Sequence, residues 1–130
     1  MDRKFLIVGF AYAIVGLGLG IFMAASKDHV QFTTHAHIML IGFLLSFLYA
    51  LCHKLWLNGP IGILAKVQYY MHLIGASVIS GGLFLLYGNF VPLETIDPVL
   101  AMSSVAVFVA AVLMFVLLLK TTGERVGAMQ

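Results

Sequence analysis

Four long apolar stretches constrain this chain more than any other feature: Phe5–Ser26, Thr33–His53, Ile63–Tyr87 and Pro98–Leu119, of 22, 21, 25 and 22 residues. A helix rises about 1.5 Å per residue and a bilayer's hydrocarbon core is about 30 Å thick, so about 20 apolar residues cross it. Together the stretches take 90 of the 130 residues, leaving no room for a soluble domain. The chain is 62% apolar and 9% charged, where roughly 25% charged is usual in water. It could not cover itself with polar surface, so lipid is its expected solvent. A helix satisfies its own backbone hydrogen bonds in lipid, and the alternating ten-residue strands of a membrane barrel are absent. The expected fold is all-α: one membrane domain over residues 1–130, a bundle of four transmembrane helices.

The same arithmetic excludes a soluble enzyme and a disordered tail. A net charge of +2 is too small to imply nucleic acid, and a single cysteine, Cys52, cannot form an internal disulfide. No Walker loop, catalytic triad or pair of carboxylates appears, so nothing supports hydrolytic chemistry.

Local signals separate the spans. Asp28 to Thr34 is polar, and Thr33 or Thr34 is expected to cap the second helix. Asn58-Gly59-Pro60 reads as a turn. Asn89 to Pro98 holds two prolines and two acids, which should stop the third helix and start the fourth. Arg3, Lys4, Lys54, Lys66, Lys120 and Arg125 fall on one side of the membrane, and only Lys27 falls on the other, with Asp28, Glu94 and Asp97. Basic residues stay on the cytoplasmic side. Both termini should therefore face the cytoplasm, in an inner, cytoplasmic-type membrane crossed four times. The first stretch exceeds the 7–15 residues typical of a signal-peptide core and reads as a membrane helix.

Ionisable residues inside such helices are expensive and call for a reason. Five histidines are the informative group. At about 100° per residue, His35, Met39, Gly42, Ser46, Tyr49 and His53 share one face of the second helix. His37, Ile41, Leu44, Leu48 and Leu51 lie opposite. His35 and His37 point roughly opposite ways, so the pair offers two separate imidazoles rather than a chelate. On the third helix His72 shares a face with Gln68, Gly75, Ile79 and Gly82. Gly16 and Gly20, four apart on the first helix, read as close helix packing or as room for a flat cofactor. By depth, His35, His37, Met23 and Met102 gather near the outer surface. His53, His72, Gln68, Tyr49, Tyr69 and Tyr70 gather toward the inner one. Such an inner mixture can hydrogen-bond a quinone carbonyl, and His72 is a candidate ligand for a second haem. Tyr69, Tyr70 and Trp56 read as interfacial anchors.

The string Thr33-Thr34-His35-Ala36-His37-Ile38-Met39-Leu40-Ile41-Gly42-Phe43 resembles the start of the second helix in subunit I of the haem-copper oxidases and nitric oxide reductases. The resemblance covers about a dozen residues, with helix order and hydropathy beyond them. It implies a haem b with His35 as axial ligand. In that family the second haem ligand and the copper ligands lie on later helices, so one copy of these four spans is not expected to assemble an oxygen-reducing centre. The missing ligand would come from Met23 or Met102, or from His35 or His37 of a second copy in a homodimer. His35 and His37 are likewise the candidate metal ligands. The expected function is one-electron transfer, with quinol or another redox partner as donor. Two other readings stay open: a module that senses, carries or stores haem or a gas ligand, and a metal-ion transporter or accessory subunit.

Overall fold

The structure is a computed structural model and describes residues 1–57 and 61–129. Among these the chain is all-helical, with four helices long and apolar enough to cross a membrane. They are α1 (Asp2–Ser26), α2 (Phe32–Leu55), α3 (Ile63–Tyr87) and α4 (Leu93–Ala128). The architecture is the four-helix membrane bundle that the hydropathy dictates. The Asn58-Gly59-Pro60 turn lies outside the described residues.

The breaks differ in detail from the sequence reading. Lys27 ends α1 in a left-handed conformation, with φ 58°, a common way to terminate a helix. Neither Thr33 nor Thr34 caps α2. The helix starts at Phe32, behind Gln31, and the Thr34 hydroxyl donates to Gln31 Oε1 at 2.6 Å. Gln31 competes successfully because its amide also reaches across the molecule, donating to the Phe84 carbonyl at 3.0 Å. The fourth helix starts at Leu93, not Pro98, which lies inside it. As the sixth residue it lies past the first turn, where a proline forfeits one backbone bond and crowds the carbonyl four residues back. Pro92 stands just before the helix and accepts from the Thr95 and Ile96 amides.

One irregularity has no counterpart in the sequence reading. The middle of α2, Ile38–Leu45, is a π-helix between two α-helical ends. No proline or polar insertion signals it. It slows the rotation of side chains along the helix, so the buried face runs through Thr34, Ile38, Gly42, Ser46, Tyr49 and Ala50.

The helices pack as two hairpins. In the first, α1 lies along α2, with Gly9 and Gly16 as close approaches. A Cβ on Gly9 would come 3.3 Å from the Phe43 carbonyl oxygen, and one on Gly16 would run into Met39 and Ile38. Gly9 thus admits the backbone of α2, while Gly16 and Gly20 are filled by the Met39, Ile38 and His35 side chains of α2. In the second hairpin, α3 meets α4 tightly at Gly75, where a Cβ would lie 3.0 Å from the Val107 amide nitrogen and 3.1 Å from the Ser103 carbonyl oxygen. Ile14, Ile21, Val105, Phe108 and Phe115 point outward and are exposed, as lipid-facing side chains should be.

Three hydrogen bonds join the hairpins at three depths. Gln31 to Phe84 lies at the outer end, Tyr12 Oη to Ser77 Oγ (2.7 Å) near mid-depth, and Ser46 Oγ to His72 Nε2 (2.8 Å) toward the inner end. In lipid there is no hydrophobic force to hold helices together, so such bonds and close packing carry the association.

Candidate functional site

His35 sits one turn into α2, facing α1. Its Nδ1 lies 2.8 Å from the Gly16 carbonyl oxygen. A carbonyl only accepts, so Nδ1 carries the hydrogen. In the neutral ring this leaves the Nε2 lone pair bare. Gly20 makes room for the ring, since a Cβ there would lie 3.1 Å from Cε1. His37 repeats the arrangement locally. Its Nδ1 donates to the Thr33 carbonyl one turn back, at 2.9 Å. Both imidazoles are half-buried, and neither Nε2 is a buried atom or takes a hydrogen bond among the described residues. A ring held at Nδ1 by a backbone carbonyl, with Nε2 free, is how proteins orient a metal-binding histidine.

Of the two outer methionines, Met102 does not join His35. Met102 is 75% exposed on the outer face of α4, which packs along α3 rather than beside α1. Met23 is buried. Among the described residues no three His, Cys, Asp or Glu side chains converge to hold a metal ion. The donor groups of one chain at this end are thus the His35 ring, a separate imidazole at His37 and the buried Met23 thioether.

His72 belongs to a second centre. Phe5 and Gly16, eleven residues apart on α1, mark the two levels, about 16 Å apart by helical rise. His72 is fully buried on the predicted face of α3, together with Gln68, Gly75, Ile79 and Gly82. Its ring packs edge-on to Tyr49 at 5.0 Å and beside Phe5 at 5.9 Å. Phe5, buried completely, also stacks on His53 at 5.5 Å and meets Tyr69 edge-on at 4.9 Å. With Nε2 engaged by Ser46, His72 presents only Nδ1, which is buried and has no partner among the described residues. Tyr69 is 8% exposed and part of this core rather than an anchor, with the Lys4 ammonium 6.0 Å above its ring. Tyr70 and Trp56 are exposed, as interfacial residues should be.

Sequence reasoning missed three participants. Phe5 looked like one more lipid-facing residue, because a single apolar side chain carries no signal of its surroundings. The Gly16 carbonyl is backbone, invisible to side-chain reasoning. Between α1 and α3 a groove of about 540 Å³ opens sideways, lined by Tyr12, Val15, Ile38, Leu73, Ser77 and Phe84 among others. Comparison of the chain with protein-family models, with curated proteins and with solved structures finds no match.

Proposed function

We propose that this protein is a membrane-embedded b-type haem protein acting in one-electron transfer, with His35 Nε2 as an axial ligand. The observation that carries the reading is the bond from His35 Nδ1 to the Gly16 carbonyl, which fixes ring and tautomer and leaves Nε2 for iron. Haem b takes one or two such ligands and supplies one-electron chemistry when bound. The chain's part is to orient the imidazole, keep the site apolar and tune the potential. Met102 faces outward and His37 stands apart from His35, so the second ligand is assigned to another copy, with Met23 of the same chain as the alternative that haem per chain distinguishes. In a homodimer whose axis runs along the membrane normal, equal depths meet, and His35 or His37 of each copy can flank one haem. Quinol is the proposed electron donor, and the inner membrane the proposed location.

The test is an absorption spectrum of protein expressed with a haem precursor and purified in detergent, with oligomer mass and haem per chain. A Soret band, reduced-state b-type bands and one haem per two chains are expected. His35→Ala should abolish haem retention, and His72→Ala should leave it unchanged. Bands that shift under carbon monoxide would move the function to haem or gas-ligand sensing, carrying or storage. Zinc or copper retained without haem would replace the reading by a metal-transport one. A colourless protein without metal would end it.

A further inference from the structure

The inner core holds more unpaired polarity than a packed core sustains. Tyr49 Oη, His53 Nε2, both amide atoms of Gln68 and His72 Nδ1 are buried without a well-formed hydrogen bond among the described residues, and the Gln68 amide lies beside the His53 ring. Gln68 and His72 are fully buried and Tyr49 is 4% exposed. These groups are neighbours. Gln68 and His72 lie one turn apart on α3, and the rings of Tyr49, His53 and His72 surround Phe5 with centroids 5.4, 5.5 and 5.9 Å away. An unpaired buried polar group costs about 1–3 kcal/mol, so even with one bond between Gln68 and His53 the remaining groups cost a large part of a domain's net stability. Native proteins answer such groups with a partner.

The chemistry of the cluster selects that partner. The Gln68 amide nitrogen only donates and its oxygen only accepts, while a tyrosine hydroxyl does both. The partner must therefore both accept and donate. The charges nearest the cluster, the N-terminal ammonium, Asp2 and Lys4, stand at its rim beside His53 and Tyr69, while Ser46, Tyr49, Gln68 and His72 are neutral groups, and an unpaired ion is far costlier to bury among them than a neutral molecule. Water is neutral and both donates and accepts, so it meets these requirements. We propose that Tyr49, His53, Gln68 and His72 hold a cluster of bound water, and that this water connects the buried His72 ring to the N-terminal end of the bundle through the half-buried His53. Buried waters each make about three hydrogen bonds to such groups, so a few satisfy the whole set. His72 is then bonded to Ser46 on one edge and to water on the other. This inference stands independently of haem at His35.

Hydroxyl-radical footprinting by X-ray radiolysis, read by mass spectrometry on the full chain in nanodiscs, tests it. Radicals born from bound water label side chains beside it even where bulk solvent does not reach. Tyr49 and His72 should be labelled at rates approaching that of the exposed Tyr70. In Gln68→Met, which keeps the side chain's shape and removes its hydrogen bonds, labelling of Tyr49 should fall severalfold. Tyr70 labelled while Tyr49 and His72 stay unmodified in the wild-type protein would overturn the proposal. A Gln68→Met variant that unfolds at a clearly higher temperature would overturn it too, because a dry, unpaired amide is relieved by that change.

Discussion

Gly20 and Gly75 show how much one methyl group can decide in this molecule. A Cβ on Gly75 would meet backbone atoms of α4 at 3.0 and 3.1 Å, and backbone cannot step aside. Gly75→Ala should therefore destabilise the α3–α4 hairpin by about 1–3 kcal/mol, the usual cost of overpacking, seen as a lower unfolding temperature in detergent. Gly18→Ala is the control. Nothing lies within 4 Å of its would-be Cβ, so stability should be unchanged or slightly raised, since alanine favours the helix. At Gly20 the methyl would press on the His35 ring, so Gly20→Ala should lower haem retention before it lowers stability. Ser46→Ala strips His72 Nε2 of its bond and should cost about 1–3 kcal/mol, whereas His37→Ala, breaking only a local bond to Thr33, should leave folding intact. At this scale the sequence was legible where residue type is unusual for lipid. His35, His72, Gln68 and Ser46 stood out because polar groups among leucines need a reason. Phe5 and Tyr69 did not, because an aromatic at a helix end reads the same whether it faces lipid or fills a core.

The helix α2 is where a uniform 100° step fails. Its π-helical middle turns side chains by less than 100° per residue, so the buried face steps through Thr34, Ile38, Gly42 and Ser46 at intervals of four. Deleting Leu44, an exposed residue of that stretch, should be tolerated. The π turn contracts toward α-helix and the two ends keep their facing. Deleting Leu48, equally exposed but in the regular α-helical part, should rotate Tyr49, Ala50 and His53 out of the core and collapse thermal stability. The pair of deletions, compared by melting in detergent, checks whether the irregularity sets the facing. The ends of α1, α2 and α3 were legible to within three residues, but α4 starts five residues before its expected span and ends nine after it. The π segment was not, because Ile38 to Leu45 is as apolar and regular in composition as any membrane helix.

At the scale of the whole molecule, each hairpin is bound internally by glycine contacts and to the other by hydrogen bonds. Membrane hydrogen bonds between helices average about 0.6 kcal/mol and reach about 1.7. Ser77→Ala, which removes the partner of Tyr12, should therefore cost no more than that and should widen the groove between α1 and α3, measurable as faster labelling of a cysteine placed at Ala11. That four helices cross the membrane was plain from length and hydropathy. That α1 and α3 would stand apart was not, since small residues signal approach but nothing in a sequence signals distance. The three inter-hairpin bonds also act as a vernier. Outer, middle and inner contacts all close at one sliding position of α3 against the first hairpin, and a shift by a single residue opens every one. Two hairpins inserted one after the other during synthesis could drift past each other in lipid at little cost until that alignment is met. Selection of the native alignment then rests on six side chains and backbone groups, far fewer than the greasy surface around them.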